Sequence, residues 1–151
     1  MNDDSLIQDS AERLFAEQVD KRSRERTEAG EFDGALWQRV VDGGFPMLLA
    51  TERAGGFGES WGTAFSVLRG IGYWQVPLPL SETMIAAQLA SLAGLDVPPG
   101  PLTLIEQGQA NTLRLEGDRL SGEVHGVPWA RHASAALVSL ADGRVAWLPL
   151  G

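Results

Sequence analysis

The stretch Asp96-Val97-Pro98-Pro99-Gly100-Pro101 divides this 151-residue sequence into two parts of different periodicity. No helix continues through three prolines and a glycine, because proline lacks the backbone N–H and its ring clashes with the preceding turn. Apolar residues recur with helical spacing before the stretch and tend to alternate after it. The sequence therefore predicts an α+β fold, with an antiparallel helical bundle over 1–95 and an incomplete antiparallel β-domain over 102–151.

Two helices are predicted before the first glycine pair. The first runs from Ser5, which forms a capping box with Gln8, to Thr27. The second begins after the N-cap Asp33 and ends at Gly43-Gly44, where glycine tolerates the left-handed conformation. Helical spacing predicts their buried faces, which are Ile7, Ala11, Leu14, Phe15 and Val19 in the first helix, and Leu36, Trp37, Val40 and Val41 in the second.

Two further helices are predicted after a turn-rich loop. Three glycines in four positions, within the loop 51–60, forbid regular structure and suit a close approach of two backbones. Ser60 caps the third helix and Ser81 caps the fourth. The predicted inward faces are Trp61, Ala64, Phe65, Leu68 and Ile71 in the third helix, and Met84, Ile85, Leu89 and Leu92 in the fourth.

Two hairpin turns are predicted beyond the proline-rich stretch. Gly117-Asp118 separates two short alternating segments, and Asp142-Gly143 lies between Leu137–Leu140 and Val145–Leu148. These segments provide about four antiparallel strands, and the sequence given stops at Leu150-Gly151 without a closing element. The edges of the sheet would therefore be exposed unless another element covers them.

The amino-acid composition excludes several classes of function. Twelve Lys and Arg against 20 Asp and Glu give a net charge of −8, and the pI is about 4.7. Nucleic-acid binding needs clustered basic residues, so no nucleic-acid partner is expected. The lack of cysteine excludes disulfides and thiolate chemistry, and it favours a reducing compartment. The N-terminus is acidic, and no run approaches the ~18 apolar residues of a membrane span, so we expect a cytoplasmic protein without membrane contact.

One short motif allows a hydrolase hypothesis. Gly58–Gly62 matches the G-x-S-x-G nucleophile elbow, and a later Asp96 or Asp118 followed by His125 or His132 preserves the order of a hydrolase triad. The elbow requires a core strand that leads directly into it, and the sequence predicts no such strand. Ser60 is therefore interpreted first as a helix N-cap, with a serine hydrolase as a remote alternative.

The tryptophans are interpreted either as core residues or as a surface that binds a ligand. Trp37 and Trp61 stand at positions that predict burial in the core. Trp129 follows Val127-Pro128 in a polar, turn-prone segment, where an aromatic ring is either a packing plug or a platform for a planar ligand. Both interpretations stay open at this point.

An ordered series of residues resembles the acyl-CoA dehydrogenase family. The helical part is similar to that family's N-terminal domain, and the β part is similar to the start of its middle β-domain. No single motif carries the likeness, which lies in the order and spacing of Leu36-Trp37, Gly44-Phe45, Leu48-Leu49, Glu52, Gly55–Gly58, Ser60, Val67-Leu68, Gly72, Pro77–Leu80, Glu82-Thr83, Ala86-Ala87, Leu120–Gly122, Val127–Ala130, Ala133 and Leu137-Val138.

The resemblance implies an oxidoreductase of fatty-acid or lipid metabolism that uses FAD. In such flavoproteins, FAD accepts the hydride during α,β-dehydrogenation of an acyl-CoA thioester, and electrons pass to an electron-transfer flavoprotein. A glutamate of a C-terminal helical bundle removes the α-proton. The resemblance also implies an oligomer formed with a second copy or a related subunit. Because the sequence given contains no such bundle, it implies no catalytic residue here, and we expect the isolated chain to be inactive.

Two segments depart from the family pattern. Glu106–Gln109 stands where the family has a flavin-contacting Thr-Glu-Pro…Gly-Ser-Asp segment, and Gly126-Val127-Pro128 stands where it has Trp-Ile-Thr or Trp-Ile-Ser. The expected FAD contacts therefore come from Val127, Pro128 and Trp129. Two hypotheses follow: the N-terminal portion of a catalytic flavoprotein subunit, or a non-catalytic structural or regulatory partner in a heteromeric acyl-CoA dehydrogenase.

Overall fold

The computed structural model describes residues 3–106, 108 and 112–151. Within them, the helices are α1 (Asp3–Gln18), α2 (Lys21–Glu28), α3 (Gly34–Asp42), α4 (Trp61–Trp74) and α5 (Leu80–Leu92), with 3-10 turns at Phe45–Met47 and Glu52–Ala54. The strands are β1 (Leu102–Ile105), β2 (Arg114–Glu116), β3 (Arg119–Ser121), β4 (Ala135–Ser139) and β5 (Val145–Pro149). The α+β fold class is confirmed. None of the helices described combines the length and apolarity needed to span a bilayer.

The first predicted helix is broken in two. Continuous helix over Ser5–Thr27 is wrong, because Asp20 adopts an extended conformation between α1 and α2. Its carboxylate accepts a hydrogen bond from the Ser23 amide at 2.7 Å, and the Ser23 hydroxyl lies 3.0 Å from the Asp20 amide. This reciprocal capping box satisfies first-turn donors and begins a new helix. Ser5 lies within α1 and does not cap it.

The other predicted caps have mixed outcomes. Asp33 caps α3, since its carboxylate accepts a hydrogen bond from the Leu36 amide at 3.0 Å. Ser60 caps α4, since its hydroxyl accepts a hydrogen bond from the Thr63 amide at 3.1 Å. Ser81 is not a cap, because α5 already includes Leu80 and its N-cap is Pro79. No side chain caps the first turn of α5, and the Pro79 carbonyl accepts the Thr83 amide at 3.0 Å as the first backbone hydrogen bond of the helix.

The buried face of α4 is rotated from the predicted one. Ala64, Val67 and Gly70 are buried, whereas Trp61 and Phe65 are exposed by 49% and 64%. Gly70 lies on the buried face, where a Cβ would be 3.3 Å from the Phe15 ring, so a larger residue there would push α1 and α4 slightly apart. The prediction that Trp61 lies in the core is therefore wrong, and Trp37 is buried as predicted.

Helix α5 occupies the centre of the molecule. Thr83, Met84, Ala86, Ala87 and Ala90 are all buried, because α5 packs against the Phe45–Met47 turn and also against β1 and β4. A helix that is apolar around most of its circumference is typical of such a position. Met84 is buried as predicted, but Leu89 and Leu92 at the end of α5 are exposed.

The larger sheet is mixed. Its strand order is β1-β4-β5, with β4 antiparallel to β5 but parallel to β1, in the register Leu102 to Ala135. The prediction of purely antiparallel strands is wrong for β1, because the β2–β3 hairpin and the following turn carry the chain back to the end where β1 began. Both predicted hairpins are confirmed, since β2 pairs with β3 and β4 pairs with β5.

The two parts of the chain are in contact across α5 and β1. The Thr83 hydroxyl donates to the Pro79 carbonyl at 2.6 Å and accepts from the Leu102 amide at 3.0 Å. Around it lies an apolar cluster that joins α5 to the sheet, namely Ala86, Ala90, Leu102, Ala135 and Leu137. The proline-rich stretch is irregular as expected, and the division into domains at 95 and 102 stays a prediction.

Candidate functional site

The predicted cofactor segment forms a tight turn between β3 and β4. Ala130 donates its amide to the Val127 carbonyl at 3.4 Å, and the amides of His132 and Ala133 both donate to the Trp129 carbonyl at 2.9 Å. Gly126 and Trp129 have positive φ angles of 69° and 60°. We call residues 126–133 the site turn.

Trp129 has an unusual backbone conformation for a large side chain. The left-handed region crowds Cβ against the backbone and is an outlier for bulky residues. Such strain costs about 1–3 kcal/mol and is concentrated at ligand-binding and catalytic sites. The two amides that donate to the Trp129 carbonyl help to hold the residue there. The strain therefore marks the site turn as a candidate for binding.

The site turn is also anchored to the sheet. The hydroxyl of Thr103, a fully buried residue of β1, donates to the Pro128 carbonyl at 2.6 Å. A buried hydroxyl must be hydrogen-bonded to offset its desolvation, so this bond is costly to break. Pro128 is thereby fixed relative to β1.

An open apolar groove of about 440 Å3 lies beside the site turn. Its size falls within the roughly 300–1,000 Å3 that is usual for small-molecule pockets. Most of its lining is aliphatic side chain or glycine backbone, and the lining residues are Ile105, Leu113, Gly122, Val124, His125, Gly126, Val127, Ala130, Leu148 and Leu150. We call it the Val127 groove.

The three predicted cofactor residues have different positions. The Val127 side chain is half-buried and lines the groove, whereas Pro128 and Trp129 are not among the lining residues. The Trp129 ring lies instead 6.5 Å from the His132 ring, centroid to centroid. Trp129 would therefore contact only a ligand that extends beyond the Val127 groove.

Backbone donors are available at the site turn. Among the residues that the structure describes, the amides of Gly126, Val127 and Trp129 donate no hydrogen bond within the protein. A free N–H beside an apolar groove can donate to a carbonyl or ring nitrogen of a planar ligand. This combination fits the flavin that the resemblance implies, since the flavin ring is flat, largely apolar and edged with hydrogen-bond acceptors.

Ionisable groups are scarce at the groove. The described lining residues include no carboxylate, and the one titratable side chain, His125, is exposed and 3.2 Å from Glu123. Two ionisable side chains elsewhere on the surface have shifted pKa values. The hydrogen bond that Arg26 donates to the Glu31 carboxylate raises the pKa of Arg26, and hydrogen bonds from the Arg144 backbone and side chain lower the pKa of Asp142. The described residues contain no cluster of potential metal ligands.

Ser60 has the role of a helix cap. Its hydroxyl accepts from the Thr63 amide and lies 3.1 Å from the Thr63 hydroxyl, which in turn donates to Asp4. No strand precedes it in the fully described segment 3–60, so the nucleophile elbow lacks its supporting strand. The geometry does not support the hydrolase alternative.

The second predicted flavin segment, Glu106–Gln109, is described only in part. Glu106 directly follows β1, whose last residue Ile105 lines the groove, whereas Gln107 and Gln109 lie outside the described residues. Sequence reasoning missed the other lining residues, including Leu113, Leu148 and Leu150. The available signal was their apolar character in strands or at strand ends of a half-exposed sheet.

These observations define an α+β protein in which a helical unit leads into a small sheet with an apolar groove. A family model for the "Acyl-CoA dehydrogenase, N-terminal domain" matches residues 1–95. The chain therefore belongs to the acyl-CoA dehydrogenase family, as the sequence resemblance predicted. Comparisons with curated proteins and with solved structures found no significant match. The likeness of residues 102–151 to a middle β-domain stays a prediction.

Proposed function

We propose that this chain contributes part of the flavin bed and one wall of the acyl pocket in a flavoprotein that dehydrogenates acyl-CoA thioesters. The observation that carries the proposal is the Val127 groove, which combines an apolar lining with free backbone donors on a strained turn. The family relationship supplies the class of reaction. FAD supplies the hydride acceptor when it is bound.

The residues of the chain would bind FAD in two ways. The side chains of Val127, Ile105 and Leu148 would pack against an apolar ring, and the amides of the lining residues Gly126 and Val127 would donate to its polar edge. The Trp129 amide would reach only a part of the cofactor that extends beyond the groove. Pro128 cannot donate, since it has no N–H. Its role is to fix the turn through its bond to Thr103.

Proton abstraction is assigned to residues other than those of the groove. No carboxylate is found among the described lining residues, so the groove itself offers no general base of the expected kind. The proposal therefore includes a related acyl-CoA dehydrogenase subunit that supplies the base, and an electron-transfer flavoprotein that accepts the electrons. A second copy of the chain would contribute to the oligomer. The absence of cysteine favours a reducing compartment, and we place this activity in the cytoplasm.

A non-catalytic structural or regulatory subunit is the second candidate function. The observation that favours it is the same scarcity of ionisable groups, together with Gly126-Val127-Pro128 at the position where the family has an aromatic residue and a hydroxyl. In this alternative, the chain keeps the family fold but its groove does not meet the flavin.

The test is to purify the tagged chain from its native host with the polypeptides that assemble with it, and to record the visible absorption spectrum and the acyl-CoA-dependent reduction of an electron acceptor. We expect a yellow complex. Val127→Asp should remove most of the FAD, because it places a charge in the apolar groove. Val41→Asp, on a partly exposed face of α3, is the matched control and should keep the FAD.

Each outcome separates the candidates. Loss of FAD and of turnover in Val127→Asp but not in Val41→Asp supports the flavin bed. Normal FAD content and turnover in Val127→Asp, with a wild-type circular dichroism spectrum, supports the non-catalytic subunit. A colourless complex with no affinity for FAD contradicts the proposed function.

A further inference from the structure

Four aromatic rings connect the site turn to the helical core. The Trp129 ring centroid lies 6.5 Å from that of His132, which stacks on Phe32 at 5.4 Å with an interplanar angle of 29°. Phe32 in turn lies 6.3 Å from Trp37, a buried residue of α3. Aromatic pairs at such separations attract each other beyond their burial of apolar area. The row bridges residues that are about one hundred positions apart in sequence.

Phe32 is firmly placed at the helical end of this row. It lies between α2 and α3, it packs against the main helical core, and its carbonyl accepts the Gly34 amide at 3.1 Å. The next residue, Asp33, caps α3. The ring of Phe32 therefore offers a fixed surface, with Arg131 of the site turn also close to the neighbouring Gly30.

His132 connects the Phe32 ring to Trp129, the residue with the strained backbone. Its amide donates to the Trp129 carbonyl at 2.9 Å, so the backbone of His132 is bonded to the residue whose φ is 60°. The ring of the same His132 rests on Phe32. A displacement of this ring would loosen the hydrogen bonds that hold Trp129 in the left-handed region.

We propose that Phe32 and His132 are positioning residues: their stack holds the site turn in the conformation that presents the free amides of Gly126 and Val127 to the groove. For its effect on FAD, this inference rests on the proposed function. The stack makes the helical unit a support for the candidate flavin segment, and neither ring needs to touch the ligand.

The experiment measures amide hydrogen exchange by NMR in the full chain. We compare wild type with Phe32→Ala, His132→Ala and His132→Phe, where phenylalanine keeps the stack without the imidazole. Tyr73→Ala is the matched control, because it removes the exposed ring of a pair with Trp74, at 5.2 Å, away from the site turn. Circular dichroism establishes that each variant is folded.

We expect protection of the His132 and Ala133 amides to fall by roughly three- to tenfold in Phe32→Ala and His132→Ala, as the loss of one aromatic pair implies. His132→Phe should restore it, and Tyr73→Ala should leave it unchanged. Unchanged protection in folded His132→Ala, or no recovery in His132→Phe, would overturn the proposal. If Phe32→Ala does not fold, the two His132 variants decide the question.

FAD content of the assembled complex provides the functional measurement. It should fall in His132→Ala and recover in His132→Phe, a rescue that a general loss of stability does not predict. If the wild-type complex carries no FAD, the proposed function fails while the exchange data still test the positioning contact. If the wild type binds FAD and His132→Ala binds it equally well, the positioning role in flavin binding is wrong and the proposed function stands.

Discussion

The helical part of the chain encloses its core, whereas the β part leaves apolar side chains around an open groove. Phe15, Val40, Val67, Leu80 and Met84 are fully buried among the helices. Beside the groove, many apolar residues are only half-buried, including Leu115, Leu120, Val124, Val127, Leu148 and Leu150. We infer from this difference that the helices contribute most of the stability, and that the ligand recognition proposed above belongs to the sheet.

Truncation of the helical core should have the largest effect. Phe15→Ala removes a fully buried ring that packs against Phe45 and Gly70, and should lower the free energy of unfolding by about 3–5 kcal/mol. Leu148→Ala, at the groove, should cost less than about 2 kcal/mol, because its side chain is already partly solvated. Urea unfolding of both variants gives the comparison. Equal losses would show that the two parts do not divide stability in this way.

Loss of the hydrogen bonds between the two parts should have an intermediate effect. Thr83→Val keeps the volume of the side chain but deprives the buried Leu102 amide of its acceptor, which should cost about 1–3 kcal/mol. Thr27→Val is the control, since the Thr27 hydroxyl bonds only to the Ser23 carbonyl of its own helix. Thermal unfolding measures both.

The unfolding curves also show whether the helical and β parts unfold in one transition. We expect the helical and β parts to unfold together in wild type, because α5 belongs to both cores. A Thr83→Val protein as stable as wild type would contradict the importance of this junction.

The smallest effect should come from the hairpin turn of the β part. Hydrogen bonds from Arg144 lower the pKa of Asp142 below its ordinary value of 3.8, so folding favours the charged carboxylate. Its contribution to stability is present above pH 3.8 and is lost as the pH falls through the lower pKa of the folded state. Asp142→Asn should therefore lower the thermal midpoint slightly at neutral pH, and this difference should vanish in acid.

The control for the hairpin prediction is Arg144→Gln, which removes the side-chain partner of Asp142 but keeps the backbone amide that donates to its carboxylate at 3.0 Å. Adding Asp142→Asn to Arg144→Gln should therefore change the thermal midpoint less than Asp142→Asn changes it in wild type. A pH-independent difference between wild type and Asp142→Asn would contradict the assignment of the stabilisation to these hydrogen bonds.

Local signals predicted the elements better than their packing. The caps at Asp33 and Ser60 and the turn at Asp142-Gly143 depend on neighbouring residues and were predictable. The Asp20 capping box with Ser23 is also a local signal, and it lies directly after the predicted apolar stripe, which ends at Val19. The parallel pairing of β1 with β4 depends on the path of the chain between them, which no local pattern encodes.

One residue of the candidate site could be predicted from the sequence, but the geometry of the site could not. Val127 was identified by resemblance, and it lines the groove. The left-handed backbone of Trp129 could not be read from the sequence, because tryptophan rarely adopts it and only tertiary contacts impose it. The stack of Phe32 on His132 joins distant residues and has no local signature either.

The most direct test of the flavin-bed claim is a titration of the full 151-residue chain with FAD, followed by 1H–15N NMR. We expect shift changes concentrated at the amides of Gly126 and Val127 and at the other residues that line the groove. Amides of the closed helical core, such as those of Val40 and Met84, should not move. Shift changes confined to the helical core, or none at any soluble FAD concentration, would contradict the claim.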